Sequence, residues 1–187
     1  MIGKTIADLV PGEAARITRT VTEADVARFV DAVGDRNPLH NDPAYAATTV
    51  FKEPIAPGIF TAGLISAVIG TQLPGPGAIY LSQSLKFVKP VLFGDTITAR
   101  VEVAEVLGER NRLRLLTSCT NQRDEEVLTG EAWVMPSRSA VAYEREVDRE
   151  VVPLAALAVQ PWRWATEVVG FWGTLGLAML GIREGRT

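Results

Sequence analysis

The stretch at residues 58–70 constrains the fold of this chain more than any other, because it is apolar on nearly every side. Only Thr61 and Ser66 bring polar side chains into these 13 residues. A helix with this pattern has no polar face to turn toward water, so we expect it to be buried all round. It is also shorter than the roughly 20 residues that a membrane-spanning helix needs.

Strand patterns after this helix predict the sheet that covers it. Runs rich in β-branched residues occupy residues 78–88, 96–107, 112–121 and 126–135, with a shorter one at 14–20. Polar or Gly- and Pro-containing connections separate them. We therefore predict an α+β fold in which an antiparallel sheet curls around one buried helix.

Composition limits the classes of function. The chain has 187 residues, 47% of them hydrophobic, which fits one globular domain with an appendage. A net charge of -3 provides no positive field for nucleic acid. One cysteine, Cys119, excludes an internal disulfide, and with one histidine it leaves too few ligands for zinc. We expect Cys119 to be a small apolar strand residue. The N-terminus predicts no signal peptide, so we expect a cytoplasmic location.

A loop at residues 35–40 joins two predicted helices. The first begins at the capping residue Thr22 and ends at Gly34, and the second begins at Asp42 and Pro43. The loop carries Asp35 and the only histidine of the chain, five residues apart.

Asp35 and His40 are the candidate catalytic pair. A carboxylate and an imidazole that converge on one water can share proton transfer, which is general acid-base catalysis worth about 10² to 10⁴ in rate. The alternative for such spacing is an Asp cap beside a solvent-facing His. The start of the central helix adds a third candidate, Gly58, because the first N–H groups of a helix are free to bind a developing oxyanion.

Four segments of the chain, taken in order, resemble the MaoC-like, R-specific enoyl-CoA hydratases of hot dog fold. They are residues 35–40, 58–70, 78–87 and 90–95, and the resemblance covers about residues 1–136. It implies that a water held between an Asp and a His adds to C3 of a trans-2-enoyl thioester while C2 gains a proton. It also implies no metal or redox cofactor, and a homodimer with the site near the interface.

The resemblance assigns roles residue by residue. Asp35 corresponds to the base that activates the water, His40 to its partner, and Gly58 to the N–H that polarises the thioester carbonyl. Ser66 corresponds to a family serine that orients the site, and its alternative role is a bond to its own helix backbone.

Two neighbours of the pair have open roles, and two positions depart from the family. Asn37 is a candidate substrate-binding residue, although loop-holding bonds to the backbone are favoured for it. For Arg36, a solvated charge is favoured over a CoA phosphate ligand. The family usually has His before the helix-opening Gly and often Met after it, where this chain has Pro57 and Ile59.

The remaining chain lies outside the resemblance. We predict a charged linker at residues 137–153 and an apolar Trp- and Gly-rich tail at 154–187. Residues 162–182 are near the lower length limit for a membrane span. Three alternatives stay open: docking on this protein or a partner subunit, contact with a membrane or lipid-storage granule, or a poorly ordered tail. Granule contact is an analogy with family members that supply (R)-3-hydroxyacyl-CoA for polyhydroxyalkanoate synthesis.

Two rival functions use the same features. A thioesterase of hot dog fold also needs a carboxylate and a helix-start N–H, but the close Asp35 and His40 fit water addition better. A non-catalytic acyl-thioester-binding or surface-anchored protein would depend on the tail instead. The sequence leaves acyl chain length open, and the carrier could be coenzyme A or an acyl carrier protein.

Overall fold

The computed structural model describes residues 1–144 of the chain. The predicted tail, with the candidate membrane contact at residues 162–182, lies outside the described residues, as does most of the predicted linker. Their proposed roles therefore stay predictions. Within residues 1–144, no helix is long and apolar enough to cross a membrane.

Three α-helices and seven strands form the described body. The helices are α1 (Glu23–Val33), α2 (Pro43–Thr48) and α3 (Gly58–Thr71). The strands are β1 (Ile2–Gly3), β2 (Ala14–Thr20), β3 (Ile79–Phe87), β4 (Thr96–Leu107), β5 (Arg112–Thr120), β6 (Glu126–Met135) and β7 (Val141–Ala142). Each strand predicted between residues 14 and 135 is present, with its ends within one residue of the prediction.

Five strands form one antiparallel sheet around α3. Their order is β2-β4-β5-β6-β3, and every neighbouring pair is antiparallel. Side chains alternate along β4 and β5, so that one face of each strand is buried against α3. Cys119 lies on the buried face of β5, as expected for a small apolar strand residue. The predicted α+β hot dog architecture is confirmed.

The sheet covers only one side of α3. Leu64, Ile65, Val68 and Ile69 are buried against it, whereas Ile59, Gly63, Ser66 and Gly70 are exposed. Within residues 1–144, the prediction that this helix is buried on every side is therefore wrong. The physical reason is that one curved sheet can enclose only part of a helix, and the exposed residues recur at spacings that place them on one face.

One edge of the large sheet is exposed, and a separate two-stranded sheet joins the N-terminus to residues 141–142. β3 lies at one edge of the sheet and pairs only with β6 within residues 1–144. Most of its side chains are exposed, including Ile79, Tyr80 and Leu81. In the two-stranded sheet, β1 pairs with β7, and Thr5 forms a bridge with Ser137. The first residues of the predicted linker thus pair with the N-terminus.

Candidate active site

The C-terminus of α1 positions Asp35. Thr22 caps the start of α1 by accepting a hydrogen bond from the N–H of Asp25, 3.1 Å away. Gly34 ends the helix in the left-handed conformation, with φ of 70°, where a residue without Cβ is unstrained. The N–H of Asp35 then donates to the carbonyl of Val30 at 2.8 Å. This closing bond fixes the direction in which the chain leaves the helix at Asp35.

Hydrogen bonds inside the loop hold its shape. The Oδ1 atom of Asp35 accepts from the N–H of Asn37 at 2.9 Å, and Oδ1 of Asn37 accepts from the N–H of Leu39 at 3.1 Å. Asn37 thereby caps a single 3₁₀ turn, Pro38–His40. This geometry supports the loop-holding role for Asn37. Arg36 is exposed and has no ion pair within the described residues.

His40 lies between Asp35 and the backbone of Ile55. Its Nδ1 atom is 2.8 Å from the Ile55 carbonyl oxygen, and its Nε2 atom is 3.7 Å from Oδ2 of Asp35. A carbonyl oxygen can only accept, so Nδ1 carries the hydrogen and Nε2 of the neutral ring is left as an acceptor. The His40 side chain is 10% exposed and that of Asp35 is 31% exposed. The imidazole is thus held in one tautomer beside a more accessible carboxylate.

The segment before α3 connects this pair to the helix start. The N–H of Ile55 donates to the Leu39 carbonyl at 3.3 Å, and the N–H of Ala56 donates to the Val91 carbonyl at 2.8 Å. These bonds fix residues 55 and 56 between the loop and the chain near β4, two residues before Gly58. The N–H of Gly58 is in the first turn of α3, where no intrahelical acceptor exists, and Pro57 provides no side-chain cap.

A cavity of about 390 Å³ opens beside the start of α3. Gly58 is in its wall, and so is Ile55, whose carbonyl holds His40. Asp35 and His40 are not among the lining residues, so they adjoin the cavity through Ile55. The exposed lining residues are Phe51, Ile59, Phe87, Val88, Lys89 and Pro90, and the buried ones are Ile55, Ala56, Thr61, Val91, Val127 and Leu128. The cavity therefore has an open mouth and a buried, mostly aliphatic floor.

Gly58 lies directly against the ring of Phe87 from β3. A Cβ atom on residue 58 would lie 2.6 Å from Cε1 of Phe87, closer than carbon atoms can approach. Glycine at this position thus allows the aromatic ring to pack over the helix start. Sequence reasoning did not identify Phe87, because a phenylalanine in a strand is an ordinary residue and nothing local indicates its contact.

The predicted residues are only partly brought together. Asp35, His40 and Asn37 lie on one loop, and Gly58 is linked to them through Ile55. Ser66 is on the exposed face of α3, outside the cavity wall, and its hydroxyl has no hydrogen bond within residues 1–144. The alternative role predicted for Ser66, a hydrogen bond from its hydroxyl to the backbone of its own helix, is therefore not observed within these residues.

Two ionisable groups near the cavity have shifted pKa values. Hydrogen bonds from Asn121, Lys89 and Arg123 lower the pKa of Glu125 to about 2, and the Lys89 bond is 2.7 Å long. Burial raises the pKa of the Cys119 thiol to about 12.

In the described part of the chain, no three His, Cys, Asp or Glu side chains cluster as metal ligands.

The MaoC like domain family matches residues 10–122, which include the loop, α3 and most of the sheet. The chain is 50% identical over 127 residues to a 3-hydroxybutyryl-CoA dehydratase of Methylorubrum extorquens, covering 68% of this chain and 80% of that protein. It is 48% identical over 132 residues to an (R)-specific enoyl-CoA hydratase of Rhodospirillum rubrum, covering 70% and 91%.

A solved structure shows the same similarity. The unliganded R-hydratase PhaJ1 of Pseudomonas aeruginosa aligns with a TM-score of 0.73 and 44% sequence identity. The alignment covers 77% of this chain and 92% of the hydratase. The shared fold therefore extends over nearly the whole of that structure.

Proposed function

This chain belongs to the MaoC-like domain family, and on that premise we propose that it adds water to trans-2-enoyl-CoA to form (R)-3-hydroxyacyl-CoA, and that it also runs the reverse dehydration. Relatives with these activities in their names are 48 to 50% identical and are covered over most of their length. The observation that carries the proposal is the Asp35 and His40 pair, held at a fixed separation beside an apolar cavity that begins at Gly58.

The pair is proposed to hold the attacking water. Asp35 Oδ2 and His40 Nε2 are 3.7 Å apart, so a single water can lie at a hydrogen-bond distance of about 2.8 Å from both. Because both atoms are acceptors, each accepts a hydrogen bond from one O–H group of the water. The lone pairs of its oxygen are then left to attack C3 of the substrate.

Proton transfer then balances within the pair. As the oxygen bonds to C3, one hydrogen of the water passes to Asp35, and the electrons of the double bond move toward the thioester carbonyl. The pair returns one proton to C2 as the enolate collapses. One water is therefore added overall, and both groups regain their starting protonation states.

Gly58 is proposed to stabilise the charge that develops on the thioester oxygen. Its N–H has no acceptor in the first turn of α3, and the residue is in the cavity wall. Removing one such donor costs about 10² to 10³ in rate in other enzymes. A donor that is already fixed in place needs no reorganisation when the charge appears.

Asn37 and Ser66 are proposed to support substrate binding indirectly. Asn37 fixes the loop that bears the pair through its bond to Leu39, so its effect on the substrate is one of positioning. Ser66 is exposed on α3, on the face that a second copy of the chain would cover. Its proposed part in orienting the site therefore depends on assembly.

The functional unit is proposed to be a homodimer. Two features of residues 1–144 support this: the edge of β3 that no other described strand pairs with, which carries Ile79, Tyr80 and Leu81, and the exposed face of α3. An exposed sheet edge with apolar side chains favours pairing with another strand. Joining β3 of two copies would extend both sheets and protect these edges.

The proposed activity can be tested by the loss of enoyl-thioester absorbance when the full chain meets but-2-enoyl-CoA, followed by chiral analysis of the product. We expect (R)-3-hydroxybutyryl-CoA to form. Release of free thiol from a saturated acyl-CoA without hydration would favour the thioesterase alternative. Binding of the enoyl-CoA without turnover would favour the non-catalytic alternative.

A further inference from the structure

Thr61 is a polar residue at the buried end of the cavity. It lies on α3 one turn after Gly58, is 2% exposed, and belongs to the cavity wall. Its Oγ1 atom is inaccessible to solvent and has no hydrogen-bond partner within the described residues. Buried hydroxyl groups nearly always have a partner, so an unpaired one needs an explanation.

The other buried lining residues provide no such partner. Thr61 is the only one of the floor residues with a polar side chain, the others being Ile55, Ala56, Val91, Val127 and Leu128. A helical threonine often bonds its hydroxyl to the carbonyl one turn earlier, but Thr61 makes no such bond. Its hydroxyl is thus unpaired among the described residues, and it can meet a group in the cavity once the side chain turns.

Rotation about χ1 decides what Thr61 presents to the cavity. The methyl and hydroxyl groups share one Cβ atom, and helical threonine populates two of the χ1 wells. A change of well turns the hydroxyl to another direction around the Cα–Cβ bond and needs no backbone movement. The side chain can therefore turn its hydroxyl toward a polar ligand without disturbing α3.

We propose that Thr61 makes this site select acyl groups with a hydrogen-bonding substituent, such as a hydroxyl, on carbon 4 or 5. The inference rests on the proposed function, in which Gly58 binds the thioester oxygen. Three residues of helix advance about 4.5 Å, so Thr61 lies that much deeper along α3 than Gly58. In an extended enoyl chain, a substituent on carbon 4 or 5 reaches about this distance from the carbonyl.

The chemistry favours a polar substituent over an alkyl group of equal size. An alkyl chain leaves the Thr61 hydroxyl unpaired in the complex, whereas a hydroxyl substituent pairs with it. Sites with a buried hydrogen-bonding group discriminate strongly against analogues that lack the partner. The aliphatic remainder of the floor still contacts the carbon chain on either side.

Two substrates with equal numbers of heavy atoms test the proposal. These are 4-hydroxybut-2-enoyl-CoA and pent-2-enoyl-CoA, which differ only by a hydroxyl in place of a terminal methyl. The measured quantity is the ratio of their kcat/KM values, compared between the wild-type chain and Thr61→Val. Comparing ratios cancels the intrinsic difference in reactivity between the two substrates. We expect the ratio to fall roughly tenfold in the variant, as loss of one hydrogen bond predicts.

Thr117→Val is the matched control. Thr117 is also 2% exposed, but its hydroxyl already accepts from Nε2 of Gln83 at 3.0 Å, and the residue is outside the cavity wall. The ratio should be unchanged in this variant. Folding of Thr61→Val is checked by thermal unfolding, and its Tm should not fall because no hydrogen bond is lost.

The outcomes separate this inference from the proposed function. If wild type turns over pent-2-enoyl-CoA and the ratio is the same in Thr61→Val, the role of Thr61 is overturned and the hydratase proposal stands. If wild type turns over neither substrate, the hydratase proposal fails and this inference fails with it. A fall in the ratio confined to Thr61→Val supports both.

Discussion

The Nε2 atom of His40 lies 3.7 Å from Oδ2 of Asp35, so the two groups do not hydrogen-bond directly but can both bind one small molecule. The opposite side of the ring is anchored, with Nδ1 2.8 Å from the Ile55 carbonyl. The imidazole therefore has a fixed orientation and a fixed tautomer. This relationship distinguishes the pair from a helix cap beside a solvent-facing histidine.

Loss of either member of the pair should abolish most activity while the fold is kept. In Asp35→Asn, the amide oxygen can still accept from the N–H of Asn37. In His40→Gln, the amide nitrogen can still donate to Ile55. We expect kcat to fall by at least about 10² in each variant, because general acid-base catalysis is lost. The measurement is initial hydration rate beside a circular dichroism spectrum.

Asp31→Asn is the control for this pair of variants. Asp31 is an exposed residue of α1, four residues before Asp35, and has no ion pair in the described range. Its substitution makes the same change in net charge as Asp35→Asn and should leave kcat unchanged. Full activity in both Asp35→Asn and His40→Gln would show that the site assignment is wrong.

Substitutions at Gly58 should separate the contribution of its N–H group to activity from the contribution of its missing side chain. Gly58→Ala keeps the N–H but places Cβ 2.6 Å from the Phe87 ring, so we expect reduced activity. Adding Phe87→Ala removes the clash and should restore part of the lost activity. Gly58→Pro removes the N–H at a helix position that tolerates proline. Its rate should stay about 10² to 10³ lower even with Phe87→Ala.

Those kcat values decide between two roles for Gly58. Equal rates for the Ala and Pro variants in the Phe87→Ala background would mean that the N–H takes no part. Circular dichroism of each variant checks that α3 still forms.

The exposed face of α3 should mediate dimer formation. A Cβ on Gly63 has no atom within 4 Å in the described chain, so Gly63→Trp is compatible with the monomer fold. The indole would obstruct a second copy packed on this face. We expect light scattering to give a dimer mass for the wild type and a monomer mass for the variant. Hydration activity should fall with it, since the proposed role of Ser66 depends on assembly.

Gly108→Trp tests whether any bulky surface residue has that effect. Gly108 is equally free of neighbours around its Cβ position, but it lies at the end of β4 rather than on α3. This variant should remain dimeric. A dimer mass for Gly63→Trp would exclude the α3 face from the interface.

Acid should remove the contribution of Glu125 to stability. Its pKa is lowered from 4.5 to about 2, first by the bond from Asn121 and then by those from Lys89 and Arg123. A carboxyl group with a lowered pKa stabilises the fold fully above its unfolded pKa and loses this effect as the pH falls through the folded one. Glu125→Gln should therefore have a lower Tm than wild type at pH 6.

The difference in Tm between wild type and Glu125→Gln should shrink as the pH falls from 4.5 to 2. Because the Glu125 side chain is partly exposed to solvent, 1 M salt should also reduce the difference. A difference that is constant from pH 6 to pH 2 would mean that the charge of Glu125 contributes nothing to stability.

Local signals in the sequence predicted the elements around the site correctly. The cap at Thr22, the left-handed Gly34 and the start of α2 at Asp42 each depend on hydrogen bonds between residues at most five apart. Such signals can be read from a short window of sequence. The strand runs were equally clear, because side chains alternate along them with a period of two.

The contacts that build the site could not be read in this way. The bond from His40 to Ile55 and the packing of Phe87 on Gly58 join residues far apart along the chain. Thr61, whose hydroxyl has no partner among residues 1–144, had a signal in the sequence because a threonine stands out in an apolar helix. Its place at the cavity floor had none. The exposed face of α3 contradicted the sequence pattern, because that pattern records hydrophobicity and not which chain covers it.

The sequence by itself determined the candidate catalytic residues, their order and the elements that hold them, because capping, turn geometry and strand alternation act over short distances. Only the tertiary structure decided the tautomer of His40, the separation between His40 and Asp35, and the shape of the cavity. These depend on how α3, the loop and the sheet pack together. Packing is a property of the whole folded chain, and small differences in it decide which distant atoms come within hydrogen-bond distance.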